Sequence, residues 1–568
     1  MSAEEAVTNG SAPAERTTIG ISFGNSNSSI AYTTAEDKAE VIANEDGDRQ
    51  IPSILSYVDG DEYNGQQAKQ QLVRNSKNTV AYFRDFLGQD FKSIDPTHCH
   101  ASAHPQAHDS TVAFTIQDKE GDSPSTVTVG EIATRQFKRL ARSASDFLGK
   151  KVDSAVVTIP TNFSDAQKAA LIASAADAGL EVLQLIPEPI AAILAYDAKL
   201  ESKVSDKMVV VADLGGTRSD VAVVASRGGM YTILATAHDY EYAGVHLDKV
   251  LQDHFAKEFI KWNTTDPREN PRSLAKLKLE AEATKKALSI GTNANFSVES
   301  LAEGIDFAST INRLRYETIA RKVFDGFNRL IEGVVKKAGL DVLDIDEVIL
   351  SGGTSHTPKI ASNMASIFPP STTILAPSTT PTAINPSELQ ARGAALQASL
   401  IQEYEKEDIE QSTHPAVTTV KHLTNAVGVL TISSDEEQGV FTPIIAAETP
   451  VPARRIVHIN APKEGGDVLV KVVEGGSHIK VSQIPKPPKE ANDDEDDSSE
   501  EEESDDEPEE HREKIWKVGK PLAEAAVKGV KKGGKVEVTI NVAGDLGVTI
   551  TVREVGEKGG VRGSLPAP

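Results

Sequence analysis

Val209-Val-Val-Ala-Asp-Leu-Gly-Gly-Thr-Arg-Ser219 is the stretch from which the architecture can be worked out. Its β-branched start, Val209 to Val211, is buried-strand material, and Asp213, Gly215 and Gly216 follow where the strand ends. From Asp220 to Val224 the apolar pattern resumes, so the intervening loop is the turn of a hairpin. Glycines in such a turn let the backbone fold tightly, aim its N–H groups at an anion and admit a phosphate without a Cβ clash. Asp213 stands close by as a partner for a hydrated divalent cation. Taken alone, the stretch reads as an ordinary hairpin.

The design occurs twice. Ile19 to Tyr32, Ile-Gly-Ile-Ser-Phe-Gly-Asn-Ser-Asn-Ser-Ser-Ile-Ala-Tyr, is again strand, glycine-bearing hydroxyl-rich loop, strand. Ser22 stands where Asp213 stands and Gly24 where Gly215 stands, at an offset of 191 residues, about the size of one lobe. Two like halves with facing hairpin loops point to a duplicated α/β domain that grips a phosphate chain between its lobes.

With 568 residues the chain has length for two or three domains, and its 39% hydrophobic and 25% charged content is ordinary for a globular protein. A lone cysteine, Cys99, excludes an internal disulfide framework and fits a reducing compartment, so the cytosol is the expected location. Residues 1–16 are polar and acidic, the pattern of a disordered tail and not of a signal peptide. No apolar run reaches the length of a membrane span. Net charge is −25, but Asp493 to Glu510 holds fourteen acids and no Lys or Arg; the remainder carries 70 acids against 59 bases. More than half the excess is therefore one acidic loop, 491–510, which repels nucleic acid. It reads as a solubilising insertion; a docking tail for a basic partner is the alternative.

Between the hairpins lie further markers. Arg84 sits among apolar residues in Asn78-Thr-Val-Ala-Tyr-Phe-Arg-Asp-Phe-Leu-Gly88. His98, Cys99, His100, His104 and His108 crowd one short stretch, but no helical spacing supports a zinc site, and an exposed loop is expected there. Helices are expected over Val129–Leu148 and from Asp165, the latter capped by Ser164. Glu188 lies at a strand-to-helix joint, Pro187-Glu-Pro-Ile190. A further helix runs from Ala243 to about Trp262. Glu282, Lys285, Lys286 and Ser289, at i, i+3, i+4 and i+7, share one face of the next, Ser273–Leu288. Val348-Ile-Leu-Ser-Gly-Gly-Thr-Ser355 is a third strand running into a glycine turn.

In that order these motifs resemble the nucleotide-binding domain of the seventy-kilodalton heat-shock (DnaK-type) chaperones, over roughly Thr17 to Gln402 and more loosely Lys421 to Val555. The resemblance implies an α/β, two-lobed, actin-like nucleotide-binding domain at 17–402 and a linker at 403–420. A small lidless β-sandwich at 421–556 and a flexible tail at 557–568 would follow, since no helical lid pattern comes after Val555. It implies ATP as the ligand. Gly24, Asn25, Ser26, Asn27, Arg84, Asp213, Gly215, Gly216, Thr217 and Arg218 would lie on the phosphate side. Glu282, Lys285, Lys286 and Ser289 would hold ribose and adenine, and Gly352, Gly353, Thr354, Ser355 and His356 would floor the adenosine.

The departures from the family pattern bear on catalysis. Ser22 replaces an aspartate, Asn25 a threonine and Arg84 the catalytic lysine, and Arg218 is placed beside the phosphates. Phosphoryl transfer depends on positioning and on aimed charge, so these swaps are expected to silence hydrolysis while Arg84 and Arg218 add fixed positive charge for binding. No catalytic residue and no metal ligand is therefore assigned, and Mg²⁺ retention without a carboxylate at Ser22 stays open. The polar stretch Tyr404–Val420 lacks the family's apolar linker.

An intact nucleotide site, altered catalytic positions and a lidless sandwich resemble one atypical branch of the family, found in the fungal ribosome-associated complex. That likeness implies a stable heterodimer with a zuotin-like J-domain protein, cytoplasmic and ribosome-associated. It would meet nascent chains indirectly, beside a second, active heat-shock chaperone, with no membrane and no direct nucleic-acid contact. Two alternatives stay open: an active ATP-hydrolysing chaperone that binds and releases peptides itself, and a small-molecule kinase on the same fold.

Overall fold

The computed structural model describes residues 16–97, 102–117, 123–198, 205–413, 421–431, 439–462, 464–484, 509–557 and 559–566. It divides into two compact units, Met1–Ser226 with Ile233–Thr418, and Arg227–Thr232 with Thr419–Pro568.

The first unit rests on two sheets of like topology. One runs Glu181–Pro187, Ser154–Ile159, Thr18–Phe23, Asn27–Thr33, Ala39–Ile42, with Ile51–Pro52 paired to Asn27–Thr33. The other runs Thr373–Leu375, Glu347–Ser351, Lys207–Leu214, Ser219–Arg227, Met230–Asp239. In each, the central strand is parallel to one neighbour and antiparallel to its hairpin partner. Both central strands are almost wholly buried, which is why each reads as a continuous apolar run without alternation. The repeat seen in the sequence is thus a repeat of topology.

Helices form where caps and periodicity agree. Val129–Leu148 opens on a capping box between Thr128 and Glu131, buries Ile132, Gln136, Phe137, Leu140 and Ala144, and stops at Gly149, whose φ of 68° ends the last turn in the left-handed region. Ser164 caps Asp165–Asp177 and Gln167 returns the bond. Each lobe packs its own aromatic core: Phe23 stacks on Phe137 with centroids 4.4 Å apart, and Phe255 on Phe296 at 3.9 Å.

The helix Leu389–Ile401 sits against both the first central strand and the helix Glu188–Asp197 through small residues, Ala391, Ala394, Ala395 and Ala398. A Cβ on Gly393 would enter the Ala191 carbonyl, and one on Gly20 would meet the backbone of Ala395. That close approach carries Gln390 to the ends of both central strands.

The second unit is a sandwich of two four-stranded antiparallel sheets. One is Val440–Ile445, Ala426–Thr431, Gly466–Ile484, Glu509–Val530; the other is Ala453–Asn460, Lys535–Val542, Val548–Glu554, Val561–Leu565. Alternate residues such as Val536, Val538, Ile540 and Val542 point into a core shared with Val427, Val429, Val470 and Val472. No helix occurs among the described residues after Thr413.

Four sequence expectations change. The stretch 403–420 was expected as a polar linker, yet Lys406–Thr413 is helical, with Glu407 and Asp408 in its first turn and Ile409 buried. The apolar alternation of Val468–Val473, from which the sequence predicts a short strand, marks only part of Gly466–Ile484, which pairs with a 22-residue strand, Glu509–Val530, that carries little apolar alternation. Cross-strand partners such as Lys480 with Glu513 and Lys471 with Glu524 supply the match instead. Glu509 and Glu510 of the expected acidic loop 491–510 belong to this strand; the rest of that block lies outside the described residues. The tail expected to be flexible, 557–568, contains the strand Val561–Leu565, which satisfies the open backbone edge of Val548–Glu554. His98, Cys99 and His100 also lie outside the described residues, whereas His108 ends the short exposed strand Pro105–His108.

Candidate nucleotide cleft

The two hairpin turns face each other. Asn25 Nδ2 donates to Thr217 Oγ1 at 3.0 Å, across 192 residues of sequence. A Cβ on Gly216 would collide with Ser26, and Cβ atoms on Gly24 and Gly215 would strike the carbonyls of Asn27 and Arg218, so each turn closes only with glycine. The second turn is braced from behind. Gly215 O accepts from Gly244 N at 3.0 Å and from Thr354 Oγ1 at 2.9 Å, and Gly216 O accepts from Val245 N at 2.8 Å. Gly352, at φ 82°, brings the Gly353–His356 turn against Asp213 and Leu214. Asn27 begins its strand exposed to solvent, while Ser26 Oγ is buried without a hydrogen-bond partner among the described residues. An orphaned hydroxyl between two glycine turns fits a phosphate oxygen.

At the strand ends the acids gather. Asp213 and Asp220 are register partners across the hairpin, and Glu188 joins them from the start of its helix; carboxylate oxygens of all three lie within 4.8 Å of one another. Ser22 Oγ donates to Gln390 Oε1 at 2.9 Å, and Gln390 Nε2 donates to Asp213 Oδ2 at 2.7 Å. A neutral bridge thus connects the equivalent positions of the two halves.

Both arginines are committed. Arg84 pairs with Asp85 at 2.7 Å and Glu188 at 3.2 Å, and donates to Phe23 O at 3.3 Å. Arg218 donates through Nε to Asp220 at 2.6 Å, to Asn162 Oδ1 at 2.9 Å and to Tyr240 OH at 2.8 Å, lies over the Tyr240 ring and stands 3.9 Å from Asp85. His238 Nδ1 closes on the other Asp220 oxygen, Oδ1, which Arg218 Nη2 also contacts. The sequence reading expected these guanidiniums to bring fixed positive charge to a ligand. The structure matches two cations with four acids, Asp85, Glu188, Asp213 and Asp220, and both guanidinium side chains are only 5% exposed.

Burial drives the titration of this cluster. It pushes Glu188 up to about 8; Arg84 pulls the other way, while Asp213 and Asp220 add to the rise. Burial, with Asp220, lifts Asp213 to about 6 against the Gln390 hydrogen bond. Asp220 goes down to about 2, because Arg218 and His238 outweigh its desolvation. Three carboxylates crowded this closely, two of them driven toward the neutral form, are a donor set that fits a hard divalent cation. The sequence assigns no metal ligand, although it marks Asp213 as a partner for a hydrated cation.

On the far side of the cleft, the helix Pro271–Ile290 carries Glu282, Lys285, Lys286 and Ser289. Lys285 turns inward to Asp248 at 2.7 Å and Gly244 O at 3.1 Å, and Ser289 Oγ donates to Lys285 O. Lys286 pairs with Glu282 at 2.7 Å but is largely solvent-facing. Glu282 also accepts from Lys69 Nζ at 2.6 Å. Lys69 belongs to the Gly65–Gln71 helix of the first lobe, so this ion pair spans the opening. His356 Nε2 meets Ser387 Oγ at 3.1 Å, and burial lowers the imidazole pKa. Asp220 could have been found from hairpin register. Asp85 stands beside Arg84 in the chain, whereas Asn162, His238, Tyr240, Gln390 and Lys69 arrive from separate segments and carry no local signal.

A family model described as Hsp70 protein matches residues 18–482. The chain belongs to the Hsp70 family. It is 45% identical, over 96% of its length and 99% of the relative's, to the ribosome-associated complex subunit SSZ1 of Saccharomyces cerevisiae. It is 44% identical over 97% of its length, and 96% of the relative's, to heat shock protein 70 homolog C57A7.12 of Schizosaccharomyces pombe. Heat shock 70 kDa protein 14-B of Xenopus laevis is 30% identical over 82% of this chain and 89% of its own. The family resemblance drawn from the motifs, and the two-lobed domain with a β-sandwich, are thereby borne out. Among the described residues no helix is long and apolar enough to cross a membrane.

Proposed function

We propose that this Hsp70-family chain is an ATP-binding, non-hydrolysing co-chaperone subunit. In this reading it forms a stable heterodimer with a zuotin-like J-domain protein on cytoplasmic ribosomes, beside a second, active heat-shock chaperone that receives nascent polypeptides. The assembly part rests on near end-to-end similarity to a relative named as a ribosome-associated complex subunit. The nucleotide part rests on one observation: the cleft keeps its two glycine turns but locks Arg84 and Arg218 into carboxylates.

Gly24 to Asn27 and Gly215 to Arg218 would offer backbone N–H groups and hydroxyls to phosphates. Glu282, Lys285, Lys286 and Ser289 would line the ribose and adenine side, with Gly352 to His356 beneath. Glu188, Asp213 and Asp220 would hold Mg²⁺, which when bound neutralises phosphate charge. The protein's own groups are poorly set for cleavage. Glu188 is held by Arg84 at 3.2 Å and stands among the carboxylates that would hold the cation, so it is not free to take a proton from an attacking water. Ser22 offers a hydroxyl that is already donated to Gln390. Arg84 and Arg218 are held by Asp85, Glu188 and Asp220 instead of being free to follow developing charge. Each lost preorganised contact costs about 3 kcal/mol, roughly a hundredfold in rate, so several together leave hydrolysis negligible.

The carboxylate trio favours a second reading, an active ATP-hydrolysing chaperone that binds and releases peptides itself. Single-turnover assay with γ-labelled ATP separates the two: intact bound ATP after hours supports the first. Copurification with a J-domain protein at equal stoichiometry tests the assembly, and a monomeric chain absent from ribosome pellets would overturn it.

A further inference from the structure

Along the helix Gly244–Trp262, His254, Lys257, Glu258 and Lys261 stand at i, i+3, i+4 and i+7 and form one wall of a concave site of about 390 Å³. Thr310, Ile311 and Asn312 from the strand Ile305–Asn312, and Arg315 from the helix that follows, complete it. At helical rise its residues lie about 15–25 Å from Gly244, well outside the cleft.

The one acid of this site is already engaged. Glu258 Oε2 accepts from Ser309 Oγ at 2.8 Å, and Oε1 lies 3.4 Å from His254 Nε2. Among the described residues no acid pairs with Lys257, Lys261 or Arg315, although Lys69, Lys207, Arg268 and Lys285 each have one. In a chain of net charge −25, three unmatched cations converge on a single hollow. His254 senses them: its pKa is lowered by burial first, then by Arg315, Lys261 and Lys257 acting against Glu258.

We propose that this hollow binds a small phosphorylated anion, at a site separate from the nucleotide cleft. Its volume falls in the range of small-molecule pockets. Arg315 offers a planar fork suited to two phosphate oxygens, and the lysines act as point charges at the rim. Nucleic acid would need cations strung along a track, one for each successive phosphate, whereas these converge on one point.

Inorganic pyrophosphate titrated calorimetrically into the full-length protein, with the cleft already saturated with ATP, tests the assignment. Binding that weakens at least tenfold in Lys261→Ala/Arg315→Ala, with ATP retention unchanged, supports it. Both side chains are exposed, so the fold should survive; Lys257→Glu, expected to weaken pyrophosphate by a similar factor, is the independent check. Equal pyrophosphate affinity in wild type and variants overturns the proposal. So does tight, salt-sensitive binding of an RNA oligonucleotide that pyrophosphate does not displace.

Discussion

Replacing Arg218 with Met removes a buried cation and leaves its acids behind. Asp220 falls from 3.8 to about 2, because Arg218 and then His238 outweigh its burial, a depression equivalent to about 2 kcal/mol at about 1.36 kcal/mol per pKa unit. Part of that survives through His238, but Asp85 also loses a neighbour 3.9 Å away. Breaking a buried pair on one side typically costs about 3–5 kcal/mol, so a loss of about 2–4 kcal/mol is expected here. The sign with pH follows from the depressed carboxylate. Its stabilising contribution is complete above the unfolded value near 3.9 and is lost as pH falls toward about 2. The gap between wild type and Arg218→Met should therefore be full at neutral pH and shrink as acid protonates Asp220, first in the variant, whose buried carboxyl has lost its cation, and then in wild type toward about pH 2. Urea unfolding without added metal measures the gap. Adding Asp220→Asn should recover part of the loss, because an unpaired buried carboxylate costs more than a neutral amide. A variant within about 0.5 kcal/mol of wild type, or a double variant that is simply worse, refutes the coupling.

Three other outcomes are expected. Lys69→Ala removes the ion pair that spans the opening; a charged hydrogen bond is worth about 1.5–3 kcal/mol, so release of a fluorescent ATP analogue in a chase experiment should quicken at least tenfold. Glu188→Gln should flatten the pH dependence of thermal stability: the raised carboxyl contributes stability that is full below about 4.5 and lost as pH rises through about 8, and an amide does not titrate. Gly393→Ala should destabilise the first unit by about 1–3 kcal/mol in urea, because the added carbon enters the Ala191 carbonyl; an unchanged midpoint would count against that packing.

The turns and central strands were legible because their information is contiguous. Val209 to Ser219 carries its own strand, glycines and acid, and Thr18 to Thr33 repeats the strand and the glycine turn with Ser22 in place of the acid. The partners of the functional side chains were not legible. Residue type gives Arg218 its charge, but only folding brings Asn162, His238 and Tyr240 to it, so its engagement could not be read locally. Gln390 is invisible for the same reason; its place depends on Gly20 and Gly393 allowing a helix to approach a strand. In the sandwich, Glu509–Val530 and Val561–Leu565 escaped because backbone pairing, not apolar alternation, holds them.

The proposed function requires a cleft that clasps a triphosphate and does not cut it. The direct measurement is a single turnover: purified chain loaded with γ-labelled ATP, freed of excess ligand and followed for released phosphate. The expected result is that the nucleotide stays bound and is recovered as ATP after hours. Stoichiometric phosphate release within minutes, from the chain alone, contradicts it.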